Sequence, residues 1–257
     1  MVKRKPTTRP TPKVPAHSSW DPVAKWYNGW VGKRGSHYHR KSALPTVLAL
    51  SDPQKGERVL DIGCGQGVLA PAVLQRGAAY LGVDASRTLV RFARQNHPEA
   101  RFVHGDARRL EALAEVSAES FEVAVFMLSI QDMNPLEEVL QQAAWALSRG
   151  GRLVIFMVHP CFRSPRGSGW GYDAARKLTY RRVEQYLTGR RVPMKAYAEA
   201  GVKSTGTTLS FHRPLKAYVN TLAALGLLVD RLEELPDPHD ERAPEIPLFA
   251  ALRARKL

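Results

Sequence analysis

Cysteine is scarce: Cys64 and Cys161 are the two in 257 residues. Two thiols cannot build a disulfide framework, so a reducing, cytoplasmic setting is expected. No apolar run approaches the ~20 residues needed to cross a bilayer, and even Gly151 to Pro160 is interrupted by Arg152. The basic start is not followed by an apolar secretion signal, so neither export nor a membrane partner is expected. No metal centre is expected either. Acids are nearly missing from residues 1–50, where Asp21 stands against ten Lys/Arg.

What is present is a globular composition, 44% hydrophobic and 24% charged, which excludes wholesale disorder and low-complexity polymer. The formal charge of +14 is uneven: +9 over residues 1–50, −3 over 51–151, +10 over 152–216 and −2 over 217–257. Two basic segments thus flank a mildly acidic centre. They suit phosphates, an anionic substrate or an acidic partner, or form a solvated surface.

Residues 1–19, with four prolines, five Lys/Arg and no acid, read as a flexible basic arm. Residues 20–50 carry Trp20, Trp26, Tyr27, Trp30 and Tyr38 and read as aromatic-rich helices, one of them over Ser42–Leu50. From Arg58, short runs apolar on both parities recur at 59–62, 79–83, 101–104, 123–128 and 153–158, as parallel strands covered on both faces require. Between them lie helical patterns: Pro71–Arg76, Ser86–Asn96 with a serine cap, and Leu136–Leu147 with one apolar stripe. Gly150 and Gly151 are expected to stop the last of these. Residues 159–216 break the rhythm, which returns as a helix over 214–225 and strands at 227–232 and 247–252. The expectation is a doubly wound α/β sheet, with 51–158 as ligand-binding core, 159–216 as a substrate-selecting insert and 217–257 completing the sheet.

The chemistry concentrates in Val59-Leu60-Asp61-Ile62-Gly63-Cys64-Gly65-Gln66-Gly67, a strand running through a glycine turn into a helix. Glycines let the backbone turn sharply and approach a ligand. The second strand ends in Gly82-Val83-Asp84-Ala85-Ser86, where a carboxylate suits both hydroxyls of a ribose. Gly105-Asp106-Ala107 follows the third. A nicotinamide-dependent oxidoreductase would more usually show G-x-G-x-x-G without the preceding Asp61.

These strings, with Phe121–Val125 and Leu147–Gly151, resemble the class I S-adenosylmethionine-dependent methyltransferases. Within them the chain is most similar to the methyltransferase-domain group that includes quinone-biosynthesis and small-molecule enzymes. The resemblance implies a Rossmann-like, seven-stranded, mostly parallel sheet with its last strand antiparallel, and S-adenosylmethionine as donor, S-adenosylhomocysteine as product. By position, Asp61, Gly63, Cys64, Gly65 and Gly67 hold the methionine moiety, Asp84 and Ala85 the ribose, and Asp106 and Ala107 the adenine. Leu128, Ser129 and Gln131 face the sulfonium. Tyr27 and Tyr38, with Trp26 and His37, are candidates for a lid over the donor.

Acceptor-side candidates come from around the insert. His159 and His212 are candidates for orienting or deprotonating an acceptor, or are ordinary hydrogen-bonded histidines. Phe162, Trp170 and Tyr186 line an aromatic pocket or pack the insert itself, and Arg213 clamps an anion or stands on the surface. Cys161 follows a proline, as the nucleophile of cytosine-5 methyltransferases does, but after the fifth strand rather than the fourth, which argues against covalent catalysis. A small-molecule acceptor is favoured. RNA, bound through the basic segments, is the alternative, and a catalytically silent S-adenosylmethionine-binding protein the third reading.

Overall fold

The computed structural model describes residues 20–195, 206–239 and 245–257, so the basic arm expected over 1–19 lies outside the described residues. In chain order the elements are α1 (Ala24–Val31), α2 (Leu44–Ser51), β1 (Arg58–Ile62), α3 (Ala70–Gln75), β2 (Ala79–Asp84), α4 (Arg87–Asn96), β3 (Arg101–His104) and β4 (Phe121–Met127). They continue with α5 (Leu136–Ala146), β5 (Leu147–Val158), β6 (Ser168–Asp173), β7 (Leu178–Val183), β8 (Arg190–Lys195), β9 (Thr207–His212), α6 (Leu215–Ala224), β10 (Leu227–Pro236) and β11 (Pro247–Lys256).

Seven strands form one sheet in the order β10-β11-β5-β4-β1-β2-β3. β1 pairs in parallel with β2 and β4, β2 with β3, and β4 with β5. β11 runs antiparallel between β5 and β10. This is the doubly wound sheet expected, with its last strand reversed. Apolar residues of both parities are used because both faces are covered. Leu60, Ile62, Ala124, Phe126, Leu153 and Ile155 pack with Leu136, Val139 and Leu140 of α5 and Tyr218 and Leu222 of α6. Val59, Val123, Val125, Val154 and Phe156 face the other way, onto Val47 of α2, Val73 of α3 and Val90 of α4. Such burial, about 25 cal/mol per Å² of apolar surface removed from water, is the main force holding the sheet to its helices.

One local expectation is corrected. The Leu136 helix is not capped by Gly150 and Gly151: it ends at Ala146, and Leu147 is already extended. Gly150, at φ +74°, instead lies within β5, where the pairing with β4 shifts register between Phe121 and Val123. A bulge of this kind favours a residue free to adopt positive φ. Residues 159–216 break the rhythm as expected. The missing long-range period reflects two separate antiparallel ribbons, β6–β7 and β8–β9, neither of which joins the main sheet.

The serine cap is as expected: Ser86 Oγ accepts the Leu89 N–H at 3.1 Å. The leader is tied down at the same place. Asp21 accepts hydrogen bonds from Ser86 Oγ (2.6 Å) and the Thr88 N–H (3.0 Å), so its carboxylate sits at the positive end of α4. Burial pushes the Asp21 carboxyl up, but these bonds outweigh it and hold it below its ordinary value. Gln66 Nε2 donates to the Gly32 carbonyl at 3.2 Å, joining the leader to the glycine turn.

Candidate active site

A crevice enclosing about 1100 Å³, part of it open to solvent, lies beyond the carboxyl ends of β1, β2, β3 and β4. Here strand order reverses around β1, the position where doubly wound sheets hold ligands. Of the residues expected at the donor, Tyr27, Asp61, Gly63, Cys64, Gly65, Asp84, Ala85, Asp106, Ala107, Leu128 and Ser129 line it. Gly67 and Tyr38 do not. A Cβ on Gly67 would stand 2.5 Å from the Phe102 ring, so this glycine lets the turn pack on β3. Tyr38 meets the rings of His239 and Phe249 edge-on, at 5.1 and 5.6 Å.

The glycine turn is conformationally demanding: Gly63, Gly65 and Gly67 all have positive φ, at 76°, 56° and 85°. A Cβ on Gly63 would stand 2.5 Å from Ser129 Cβ and 2.6 Å from Met133 Cε. At Gly65 the nearest atom would be Tyr27 Cε1 at 3.8 Å, which leaves room on the crevice side. Asp84 Oδ2 accepts the Gly65 N–H (2.9 Å) and Oδ1 the Ser86 N–H (2.8 Å). An ionised carboxylate has about four acceptor positions, so about two stay available for a diol. Burial raises the Asp84 carboxyl, and the two backbone donors pull it back.

Asp61 is fully buried beneath the turn. Tyr80 donates its hydroxyl proton to Oδ2 at 2.7 Å, while Oδ1 is buried without a partner. Burial pushes this carboxyl up to about 7, against the Tyr80 hydrogen bond. An orphaned buried oxygen is costly and fits a cationic donor arriving from the ligand side. Asp106 is held by Arg108, whose Nε lies 3.0 Å from both carboxylate oxygens. The donor set therefore fits S-adenosylmethionine: an acid with an orphaned oxygen for an ammonium, a carboxylate for a ribose diol, and glycines where backbone must come close.

The rest of the lining was not singled out as a site from the sequence. Trp20 stands edge-on to Tyr27 with ring centroids 5.0 Å apart. His39 is buried against the crevice with its Nδ1 2.8 Å from Ser36 Oγ, and burial lowers it to about 4. Asp132, Met133 and Asn134 follow β4, and Phe211 comes from β9. These residues arrive from three distant stretches of chain, and no local spacing marks them. Of the lid candidates, Tyr27 faces the crevice. Trp26 instead stacks on Trp30, centroids 5.9 Å apart, and His37 lies 3.8 Å from the His239 ring.

The remaining predicted residues lie outside the lining. His159 is buried, accepting the Cys161 N–H on Nδ1 (3.1 Å) and donating from Nε2 to Glu234 (2.8 Å). His212 Nε2 donates to the Tyr186 carbonyl at 2.8 Å. The Tyr186 hydroxyl accepts the Leu215 N–H at 2.9 Å, satisfying the start of α6. Phe162 packs on His159, centroids 4.9 Å apart, and Trp170 lies under Arg181 at 5.1 Å. Gln131 Nε2 donates to the Leu128 carbonyl at 2.6 Å. Arg213 Nη2 donates to the Met133 carbonyl (2.6 Å) and to Asn134 Oδ1 (2.9 Å), bracing the loop beyond β4. Burial raises the Cys161 thiol, with Glu234 adding to it, which disfavours a thiolate.

Residues 59–151 match the family described as "Methyltransferase domain". A ubiquinone biosynthesis O-methyltransferase of Sinorhizobium fredii is 29% identical over 167 residues, 63% of this chain and 66% of that protein. The curated relatives first matched are all of that kind, and the chain spans between 41% and 66% of their length. Among solved structures, an S-adenosylmethionine dependent methyltransferase from Mesorhizobium loti superposes with TM-score 0.70 at 24% identity, covering 84% of this chain and 99% of that one. A Burkholderia thailandensis 1,6-didemethyltoxoflavin-N1-methyltransferase, with its substrate and S-adenosylhomocysteine bound, gives 0.55 at 16%, covering 91% and 84%. The fold is thus that of the Rossmann-like methyltransferases. Residues 59–151 are a methyltransferase domain.

Proposed function

We propose that the protein is an S-adenosylmethionine-dependent methyltransferase acting on a small-molecule acceptor. One observation carries this reading: the glycine turn, Asp84 and Asp106, from three neighbouring strand ends, line the same crevice as Ser129 and Asp132 from a fourth. When bound, S-adenosylmethionine supplies a methyl group on a sulfonium, an already activated donor. The chain's task is then to align the two reactants and exclude water. Asp84 accepts the ribose diol, Asp61 Oδ1 receives the ammonium of the methionine end, and Ala107 borders the adenine. Tyr27, Trp20 and Phe211 add aromatic rings to the crevice lining.

A small acceptor is favoured by that aromatic lining, which suits a compact apolar molecule, and by the O-methyltransferase relatives. RNA is the second reading, because the β6–β7 ribbon exposes Tyr172 and Tyr180 within a segment of charge +10. Calorimetry with S-adenosylmethionine tests the donor, and no measurable binding would end the proposal. RNA binding against salt, for the full chain and one lacking residues 1–19, tests the acceptor class. Salt-insensitive, weak binding by both supports a metabolite. Tight binding whose salt slope drops on truncation, by about one unit per lost phosphate contact, supports RNA.

A further inference from the structure

We propose that Asp132 is the catalytic acid–base of the acceptor side: its carboxylate takes the proton of an acceptor O–H or N–H as that oxygen or nitrogen receives the methyl group. This rests on reading the crevice as the donor site. Asp132 ends a single 3-10 turn, Ile130–Asp132, directly beyond β4. The turn is fixed by the Asp132 N–H donating to the Ser129 carbonyl at 3.0 Å. Ser129 in turn donates its hydroxyl proton to the Ile62 carbonyl at 2.7 Å, pinning the turn to the end of β1.

The other crevice carboxylates already have work inside the fold: Asp61 with Tyr80, Asp84 with Gly65 and Ser86, Asp106 with Arg108. Among the described residues, no hydrogen bond or ion pair engages the Asp132 carboxyl, although it lines the crevice. The charged and titratable groups whose fields couple to it are Arg213, Tyr27 and Tyr218. Arg213 does not neutralise it by contact, because Nη2 is committed to Met133 and Asn134. Burial raises the carboxyl well above its usual value, and Arg213 opposes this only in part. A nearby sulfonium would favour its ionised form.

The step then balances. The acceptor's lone pair forms the new bond to the methyl carbon, and the methyl–sulfur pair returns to sulfur, leaving a neutral thioether. The acceptor's proton passes to Asp132, leaving a neutral acid. One positive and one negative charge disappear together, which a water-poor site favours. An acceptor without a proton to lose would leave Asp132 idle, so the substrate class is hydroxyl or amine compounds.

The test follows the Asp132 carboxyl by NMR in protein labelled with carboxyl-¹³C aspartate, its signal assigned by its loss in Asp132→Asn and, if that variant does not fold, in Asp132→Glu. The midpoint is expected above the ordinary carboxylate range in the free protein and with S-adenosylhomocysteine. With S-adenosylmethionine it is expected to fall by about one pH unit or more, because the sulfonium stabilises the carboxylate. The same midpoint with both ligands, while calorimetry shows both bound, overturns the role of Asp132 and leaves the donor site standing. Absence of binding by calorimetry removes both together.

Discussion

The half of the crevice proposed for the donor comes from the ends of three adjacent parallel strands, with each acidic side chain held by a neighbour: Asp61 by Tyr80, Asp84 by Gly65 and Ser86, Asp106 by Arg108. The half proposed for the acceptor combines Trp20 and His39 from before β1, Asp132 to Asn134 from after β4, and Phe211 from β9. The first half is pre-organised by the sheet itself. The second depends on tethers between distant segments: Asp21 to Ser86, Gln66 to Gly32, Arg213 to Met133 and Asn134. A half fixed by adjacent strand ends and a wall assembled from separate segments allow one fold to keep its donor while changing its acceptor.

The sharpest way to break that contrast is within the glycine turn. Gly63→Ala combines positive φ with a Cβ 2.5 Å from Ser129 Cβ, and should cost about 3 kcal/mol, lowering Tm by about 6–12 °C. Gly65→Ala, with nothing nearer than 3.8 Å, should cost only about 1–2 kcal/mol of backbone strain. Equal thermal shifts would show that the close approach to the loop beyond β4 does not govern the turn.

Donor affinity comes next. Asp84→Ala removes charge-assisted hydrogen bonds and should weaken S-adenosylmethionine binding by about 1.5–3 kcal/mol. Unchanged affinity by calorimetry would remove Asp84 from the site.

Asp61 gives a pH signature. Its carboxyl is raised from the model-compound 3.8 to about 7 in the fold, so the folded chain keeps a proton that the unfolded chain releases across that interval. The stabilisation is present in acid and is lost as pH rises towards 7. Between pH 5 and 7.5 the wild type should lose about 2 kcal/mol more than Asp61→Asn in urea unfolding. Parallel losses would refute the shift. Donor affinity should rise over the same interval if Asp61 meets the ammonium, and this rise should vanish in Asp61→Asn.

The smallest effect is expected at Cys161, outside the crevice lining. Cys161→Ser should keep donor affinity and methyl transfer within about two-fold, since no buried contact of the site is lost. A fall of several orders of magnitude with the fold intact would restore the covalent reading.

Much of the main sheet was legible because β1 to β5 are apolar on both parities and α5 has one apolar stripe, patterns that depend on neighbours a few residues away. The ribbons of 159–216 were not: β6–β7 is largely solvent-facing, and strands such as Leu178–Val183 bury no residue fully. Trp170 and Tyr186 have the composition of pocket residues, yet they serve a cation–π contact and the capping of α6. Composition reports residue type, and direction depends on what the chain folds against.

The sequence by itself determined one half of the crevice, the half proposed for the donor, because a glycine turn, a strand-end carboxylate and the step beyond the third strand occupy fixed places along consecutive β-α units. Their neighbours in space follow from the sheet that the same residues build. Tertiary structure alone decided the acceptor wall. Trp20, His39, Asp132 and Phe211 share one crevice only after leader, sheet and ribbon have docked, and long-range packing of that kind has no period or spacing along the chain.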